Sequence, residues 1–325
     1  MIPPAPRKPP LPHLLAPYAG RWVALVEGRV VAQGGTPEQA RQAAQRARPK
    51  ERLTLIFVPM ENSLLYSPLF ERVRQMLPDE TRLYLVGGAV RDALRGRASH
   101  DLDFSVRGDA RAVARRVADA LGAAYSPLHD DFDAGRVVIQ EADGRYVLDF
   151  IGLHPEGLEA DLRARDFTVN AIAVDVRAPQ ELLDPLGGAS DLLNGVLRAC
   201  SPTSLQDDPV RVLRAVRMAA SLDLHIHPDT RRQIRAAVSA LERVSPERIR
   251  TELLRILGGP RPAASLRALD MLGVLPAVLP ETAALKGVQQ TPPHVYDVWE
   301  HTLAVVERLD ALLSALGPTY DADTS

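Results

Sequence analysis

The pattern of apolar and polar positions changes character near residue 200. Before that point, short apolar runs such as residues 83–86 and alternating stretches such as residues 101–106 predict strands, with amphipathic helices between them. After it, apolar side chains recur with the spacing of one helical face, as at Val210, Leu213 and Val216. The pattern therefore predicts an α+β first part and an all-α second part.

The chain begins with a predicted ββαβ module. Its elements are expected at residues 22–26, 29–33, 36–48 and 53–58, with a turn at Glu27-Gly28 and a helix N-cap at Thr36. Residues 1–12 are rich in proline and are expected to be disordered. The module has no cluster of residue types used in catalysis, so residues 1–61 are interpreted as an accessory domain.

A glycine turn stands between a predicted strand and a predicted helix in the middle of the first part. Gly87 and Gly88 end the apolar run 83–86, and residues 89–94 have helical character. Glycine lets backbone N–H groups approach a phosphate closely, and a helix N-terminus favours an anion. Arg91 adds a fork-shaped donor. The turn therefore predicts a phosphate-binding element.

Two carboxylates follow on the next predicted strand. Because side chains alternate along a strand, Asp101 and Asp103 share its polar face, while Leu102 and Phe104 point into a core. Like charges this close repel unless a cation lies between them, and oxygen ligands suit Mg²⁺, which also binds substrate phosphates. Alone, the pair could be a chance pair on a solvated face; with the glycine turn, it predicts a nucleoside triphosphate and Mg²⁺ site.

An isolated aspartate in the following hairpin is a third candidate. Asp149 shares its strand face with Val147 and Ile151, which are apolar. In one interpretation it lies near Asp101 and Asp103 and either accepts the proton of an attacking hydroxyl or completes the metal shell. In the other it is an edge-strand charge that faces water.

Two motifs resemble those of a known family. Residues 87–103 have the pattern GGxVRDxLxGRxxxDxD, which resembles the signature of DNA polymerase β-like nucleotidyltransferases in the class of bacterial CCA-adding enzymes and poly(A) polymerases. Residues 163–176 read RARDFTVNAIAVDV, similar to the second motif of that family, which helps to hold the nucleotide sugar and phosphates. The resemblance assigns this role to Arg165, Asp166 and Asn170. Ala164 replaces the first arginine of the motif, although Arg163 could reach the same place.

Two later segments carry the resemblance further. Residues 184–191 are similar to the segment that joins the catalytic head of the family to its helical part, and residues 207–217 read DDPVRVLRAVR, similar to its (E/D)DxxR motif. In that family the Asp and Arg of the motif hydrogen-bond the incoming base, which implies this role for Asp208 and Arg211, with Arg214 on the same arginine stripe. Alternatively, Asp208 and Arg211 form an ordinary exposed ion pair.

Composition changes this picture only slightly. The single cysteine, Cys200, excludes a disulfide framework and is typical of a reducing cytoplasm, and no apolar run is long enough to span a bilayer. Lysine occurs only at positions 8, 50 and 286, so most of the 39 basic residues are arginine; this suits phosphate contacts, but a GC-rich genome gives the same bias. Residues 201–270 carry 12 arginines and 8 acidic residues, which favours a polyanionic partner.

The resemblance implies four parts. They are the accessory module (1–61), a nucleotidyltransferase head with a mixed five-stranded sheet and flanking helices (62–198), an all-α neck and body that selects the base and binds tRNA (199–280), and a helical region similar to the start of a truncated HD-type phosphohydrolase domain (281–325). His294 and His301 lie in the last part, but no His-Asp pair comes after them, so an intact metal site is not expected there.

The implied activity is template-independent transfer of CMP, CMP and AMP from CTP and ATP to tRNA 3′ ends, with Asp101 and Asp103 binding two Mg²⁺ ions. A poly(A) polymerase, or an enzyme that adds only A or only CC, shares these motifs. A non-catalytic tRNA-binding protein is the alternative from a different class. For residues 1–61, tRNA contact or dimerisation are alternatives to the accessory role.

Overall fold

The computed structural model describes most of the chain and divides it into two compact units. The described residues are 15, 17–18, 21–35, 37–49, 51–58, 64–78, 80–128 and 133–316. The first unit is Met1–Val196 and the second is Leu197–Ser325. The expected disorder of residues 1–12 and the expected N-cap Thr36 lie outside the described residues.

The N-terminal module has the predicted ββαβ order. It consists of β1 (Trp22–Val26), β2 (Arg29–Gly34), α1 (Pro37–Ala47) and β3 (Thr54–Phe57). The sheet order is β2-β1-β3, and both pairings are antiparallel. Glu27 and Gly28 both have positive φ, 49° and 80°, as the tight hairpin turn requires.

Both faces of this small sheet are covered. Ala24 packs against Ala40 and Ala44 of α1 on one face. On the other face, Tyr18, Val23 and Leu25 belong to a buried cluster that includes Leu193, far along the chain. Leu193 is in the region that contains the predicted head, so the module packs onto that region as part of one unit.

A seven-stranded mixed sheet forms the centre of the first unit. Its strands are β4 (Arg82–Val86), β5 (Asp101–Arg107), β6 (Ala124–Pro127), β7 (Ala134–Glu141), β8 (Gly144–Gly152), β9 (Ala173–Asp175) and β10 (Leu182–Leu183). Their order is β10-β9-β4-β5-β8-β7-β6, and only β5 and β8 are parallel. The mixed character is as predicted, but there are two strands more than the expected five. The edge strands β6 and β10 are short and largely unburied, so neither carries an apolar pattern that sequence reasoning can detect.

Helices accompany this sheet. They are α2 (Pro68–Met76), α3 (Gly88–Leu94), α4 (Ala110–Leu121), α5 (Leu158–Arg163) and α6 (Gly188–Leu193). The bounds of α4 follow from its caps: Asp109 accepts a hydrogen bond from the Ala112 N–H at 2.8 Å, and Gly122 adopts the left-handed conformation. The core includes Phe104 and Phe150, whose rings stack with centroids 4.9 Å apart.

One predicted strand is wrong in its first half. The apolar run at residues 169–176 predicts an extended segment throughout, but Thr168–Asn170 forms a 3₁₀ turn and β9 begins only at Ala173. The Asn170 side chain donates to Asp166 Oδ1 at 3.0 Å, which closes the turn locally. Because Val169, Ala171 and the residues after them are all buried, their apolar pattern does not distinguish a buried turn from a strand.

The described part of the second unit is mainly helical and includes a two-stranded ladder of β11 (Val196–Leu197) with β12 (His225–Ile226). Its helices are α7 (Ser204–Asp207), α8 (Arg211–Leu222), α9 (Pro228–Ala237), α10 (Pro246–Leu257), α11 (Pro262–Met271), α12 (Leu275–Val278) and α13 (Val298–Leu316). Along the described residues, no helix is both long and apolar enough to cross a membrane.

The residues Asp207-Asp208-Pro209 are typical of a helix start, because they combine acidic caps with a proline, but they lie between two helices. Asp207 ends α7, Asp208 is extended, and α8 begins at Arg211. A residue that precedes proline is disfavoured in the helical region, which accounts for the extended backbone of Asp208. In the tail, the rings of His294 and His301 meet edge-on with centroids 5.1 Å apart.

Candidate active site

The glycine turn brings two charged side chains to one point. Gly87 ends β4 with φ 76° and precedes α3. A Cβ atom built on Gly87 would lie 2.9 Å from Arg165 Nη1 and 3.4 Å from Asp103 Oδ2. Only glycine fits this position, both because of its φ and because these two groups approach the backbone so closely.

The three predicted carboxylates lie on adjacent strands. In the parallel ladder of β5 with β8, Asp103 is directly opposite Asp149, and Asp101 is two residues before Asp103. Leu102 and Phe104 point into the core, so the carboxylates share the opposite, partly open face. The edge-strand interpretation of Asp149 is wrong, because β8 lies between β5 and β7.

Sequence reasoning missed an arginine in this group. Arg136 on β7 donates from Nε and Nη2 to the two carboxylate oxygens of Asp149, each at 2.7 Å. The pKa of Arg136 is raised above its ordinary value, first by these hydrogen bonds and further by attraction to Asp149, Asp101 and Asp103. The signal was present in the sequence: only residues 142 and 143 separate the hairpin strands, which fixes Arg136 opposite Asp149.

Arg91 and two residues of the second motif are linked by consecutive hydrogen bonds. Arg91 Nη1 donates to Asn170 Oδ1 at 2.6 Å, and Asn170 Nδ2 donates to Asp166 Oδ1 at 3.0 Å. Arg91 also donates from Nε and Nη2 to Asp92, each at 2.9 Å. A Cβ on Gly88 would lie 3.4 Å from Arg91 Nη2. Since Asp166 and Asn170 are buried, these consecutive hydrogen bonds fix the Arg91 guanidinium beside the glycine turn.

Arg165 is oriented by a separate set of contacts, through Asp161 and Ser105. Its Nη2 lies 3.5 Å from Asp161 Oδ2, and Ser105 donates to the same oxygen at 3.1 Å. Ser105 belongs to the carboxylate strand β5, so Arg165 is tied to that strand through Asp161. Arg165 and Asn170 therefore lie beside the glycine turn, and Asp166 is hydrogen-bonded to Asn170.

Arg163 does not take the place of the first arginine of the motif, whose position is occupied by Ala164. Arg163 Nε donates to Glu159 one turn earlier on α5, at 3.2 Å, and its side chain is exposed. Ala164 ends α5 and presents only a methyl group. The suggestion that Arg163 takes the place of that arginine is not what the structure shows.

The segment after the second motif packs tightly onto it. Thr168 Oγ1 donates to Asp191 Oδ2 at 2.7 Å, and both residues are buried. Asp184 accepts hydrogen bonds from the N–H groups of Gly188 at 2.7 Å and Ala189 at 2.9 Å, and burial raises its pKa. A Cβ on Gly188 would lie 1.9 Å from the Thr168 carbonyl oxygen. Gly188 is thus required for α6 to lie against the 3₁₀ turn.

The base-reading candidates Asp208, Arg211 and Arg214 lie in the second unit. Arg211 Nε is 3.9 Å from Asp208 Oδ2, while its Nη1 donates to Ser204 O at 3.2 Å and Ser204 Oγ at 2.9 Å. A nearer cation, which sequence reasoning missed, is Arg248 of α10, whose Nη2 donates to Asp208 Oδ2 at 2.8 Å. Arg214 is half-buried one turn further along α8.

The carboxylate set fits a hard cation that brings its own further ligands. Within the part of the chain that the structure describes, no group of three or more His, Cys, Asp or Glu side chains is arranged to hold a metal ion. Because Arg136 binds both oxygens of Asp149, Asp101 and Asp103 are the candidate ligands on this face. Two carboxylates suit Mg²⁺, because it retains waters and takes substrate phosphates as ligands.

Three family models match the sequence. The poly A polymerase head domain matches residues 83–198, and the probable RNA and SrmB binding site of polymerase A matches residues 223–286. A family of unknown function matches residues 13–61, the N-terminal module.

Characterised proteins are similar over most of the chain. The A-adding tRNA nucleotidyltransferase of Deinococcus radiodurans is 40% identical over 246 residues, 74% of this chain and 55% of that protein. The CC-adding tRNA nucleotidyltransferase of Geobacter sulfurreducens is 39% identical over 234 residues, 72% of this chain and 51% of that protein. The chain thus spans about half the length of the curated relatives it matches.

A solved structure shares the fold as well. The Thermotoga maritima CCA-adding enzyme complexed with tRNA superposes with a TM-score of 0.60 at 32% identity, over 69% of this chain and 53% of that one. The matched head, the matched RNA-binding region and this superposition agree with each other. On these grounds, the head region and the RNA-binding region of this chain belong to the family of CCA-adding enzymes and poly(A) polymerases.

Proposed function

We propose that this chain contains the catalytic part of a tRNA nucleotidyltransferase that adds CMP, CMP and AMP to tRNA 3′ ends. The observation that carries the proposal is the convergence of Asp103, Gly87 and Arg165 at one point of an open sheet face, with Asp101 beside them. Relatives that act on tRNA, and a relative solved with tRNA, support the choice of substrate. A cytoplasmic location follows from that substrate.

In this proposal, the glycines, arginines and aspartates of the head have separate roles. Gly87 and Gly88 let the triphosphate approach the backbone, and Arg91 and Arg165 bind its oxygens. Mg²⁺ held by Asp101 and Asp103 would supply activation of the 3′-hydroxyl and stabilisation of the departing pyrophosphate. The 3′-oxygen forms a bond to the α-phosphorus while the bond from that phosphorus to the bridging oxygen of the β-phosphate breaks.

Base selection is assigned to the second unit. Asp208 offers an acceptor and Arg211 a fork of donors, a combination that can pair with the edge of cytosine or of adenine after a small shift. Arg214 extends the donor surface along α8. Because no template strand is present, these side chains replace its hydrogen-bonding edge.

The remaining parts have supporting roles in the proposal. Residues 62–198 are the catalytic head, residues 199–280 contact the tRNA, and α13 belongs to the HD-like helical region. Residues 1–61 are an accessory module attached to the head through the cluster that includes Leu193. The surplus of arginine over residues 201–270 suits shape-based recognition of A-form RNA through its phosphates.

Incorporation of labelled nucleotides tests the proposal. The substrates are tRNA transcripts ending at the discriminator base, at that base plus C, and at that base plus CC, each with labelled CTP or ATP. We expect CMP on the first two transcripts and AMP on the third, and EDTA abolishes both. AMP alone, CMP alone or long runs of A indicate an A-adding enzyme, a CC-adding enzyme or a poly(A) polymerase, respectively. No incorporation with Mg²⁺ present contradicts the proposal.

A further inference from the structure

The pairing of Arg136 with Asp149 affects the whole carboxylate group. Each oxygen of Asp149 accepts a 2.7 Å hydrogen bond from the same guanidinium, the bidentate geometry that is strongest for this pair. The Asp149 side chain is 16% exposed and that of Arg136 is 41% exposed. The pair therefore lies at the surface of the open face, where a bound cation could compete with the arginine.

The charges explain what this pairing achieves. Arg136 neutralises the charge of Asp149, the carboxylate directly opposite Asp103. Without that guanidinium, Asp149 would add its negative charge beside Asp103 and strengthen cation binding there.

We propose that Arg136 keeps Asp149 out of the metal shell and thereby weakens cation binding at Asp101 and Asp103. The inference rests on the proposed function in one respect only, the assignment of these two aspartates as the metal ligands. Arg136 and Asp149 are then positioning residues. A weakly held cation can arrive with the nucleotide and leave with pyrophosphate, while a cation held by three carboxylates would leave slowly.

Direct cation binding tests this without any reaction. Mn²⁺, which is paramagnetic, is added to the full chain without nucleotide, and free Mn²⁺ is measured by EPR. We expect Arg136→Gln to tighten the Mn²⁺ Kd about tenfold, within the range by which outer partners change metal affinity. The matched control is Arg72→Gln, which breaks a 2.6 Å ion pair between α2 and Glu141 of β7, on the same hairpin strand as Arg136. It should leave the Kd unchanged.

Two further variants separate ligand formation from a general change in charge. Arg136→Gln combined with Asp149→Asn removes the candidate third ligand and should lose the whole gain in affinity. Arg136→Lys retains the positive charge but not the two-pronged contact, so its Kd should lie between those of the wild type and Arg136→Gln. Near-ultraviolet circular dichroism confirms that each variant is folded before its affinity is compared.

The outcomes distinguish this inference from the proposed function. An Arg136→Gln Kd equal to that of the wild type, or a gain that survives the added Asp149→Asn change, overturns the inference, as does failure of both proteins to bind Mn²⁺. None of these results affects the nucleotide-incorporation assay. If the wild type binds Mn²⁺ but Asp103→Asn does not weaken that binding, the metal assignment itself is wrong, and with it the metal step of the proposed reaction.

Discussion

Arg248 donates a 2.8 Å hydrogen bond to Asp208 across 40 residues of chain. Asp208 has an extended backbone before α8, and its predicted partner Arg211 lies further away, at 3.9 Å. The carboxylate assigned to base reading is therefore oriented chiefly by α10, a helix that the (E/D)DxxR motif does not include. This relationship makes Arg248 part of the nucleotide-selecting surface in the proposed function.

Substitution of Arg248 is expected to relax base selection. Arg248→Gln frees the Asp208 carboxylate to turn, and loss of one oriented base contact costs roughly 1–3 kcal/mol of discrimination. We expect the ratio of kcat/KM for CTP to that for UTP to fall about tenfold or more, measured on a transcript ending at the discriminator base. Arg255→Gln is the control, because Arg255 lies on the same helix and pairs with Glu252 at 3.6 Å. An unchanged ratio in Arg248→Gln would contradict the role.

The hydrogen bond from Arg91 to Asn170 predicts an effect on nucleotide binding. Asn170→Ala removes the acceptor of the 2.6 Å hydrogen bond from Arg91, and hydrogen bonds to charged groups contribute about 1.5–3 kcal/mol. We expect KM for ATP and CTP to rise about tenfold or more, with a smaller change in kcat. Asn194→Ala is the control, since the Asn194 side chain bonds to Ser190, within its own helix region. Lost stability with unchanged KM would indicate a purely structural role.

The close approach of Gly188 to Thr168 predicts a steric effect. A methyl group on Gly188 would lie 1.9 Å from the Thr168 carbonyl oxygen, so the 3₁₀ turn or α6 must move. Overpacking of this kind costs about 1–3 kcal/mol, and urea unfolding should show Gly188→Ala destabilised by that amount. Gly35→Ala places its methyl 3.4 Å from the flexible Gln39 side chain and should change the free energy of unfolding by less than about 0.5 kcal/mol. Equal stability of the two variants would rule out this packing argument.

Tyr146 predicts a pH dependence of stability. Burial, and then the 2.7 Å hydrogen bond that Tyr146 donates to Asp143, raise its pKa from 10.0 to about 12. Between these values the folded chain keeps a proton that the unfolded chain loses, so the free energy of unfolding falls as pH rises. Tyr146→Phe removes this proton, and its unfolding free energy should fall less steeply over the same range. Parallel curves for the two proteins in urea unfolding would contradict the expected shift.

Local signals in the sequence were sufficient for much of the first unit. Strict alternation over residues 101–106 placed Asp101 and Asp103 on one strand face, because the side-chain period of a strand is two. Asp109 and Gly122 cap α4, and such caps can be read locally because capping depends on residues next to one another in the chain. The glycine turn and the resemblance of the second motif assigned Arg91, Arg165, Asp166 and Asn170 to the same nucleotide.

Sequence by itself therefore determined most of the helices and strands, the glycine turn with its two-aspartate strand, and the family, because each depends on residues close together in the chain. Tertiary structure alone decided the contact of Arg248 with Asp208 and the two edge strands beyond the expected five. It also decided that residues 168–170 turn, since burial on all sides removes the periodicity from which a strand is inferred. Contacts between distant segments depend on packing and register, which no local pattern encodes.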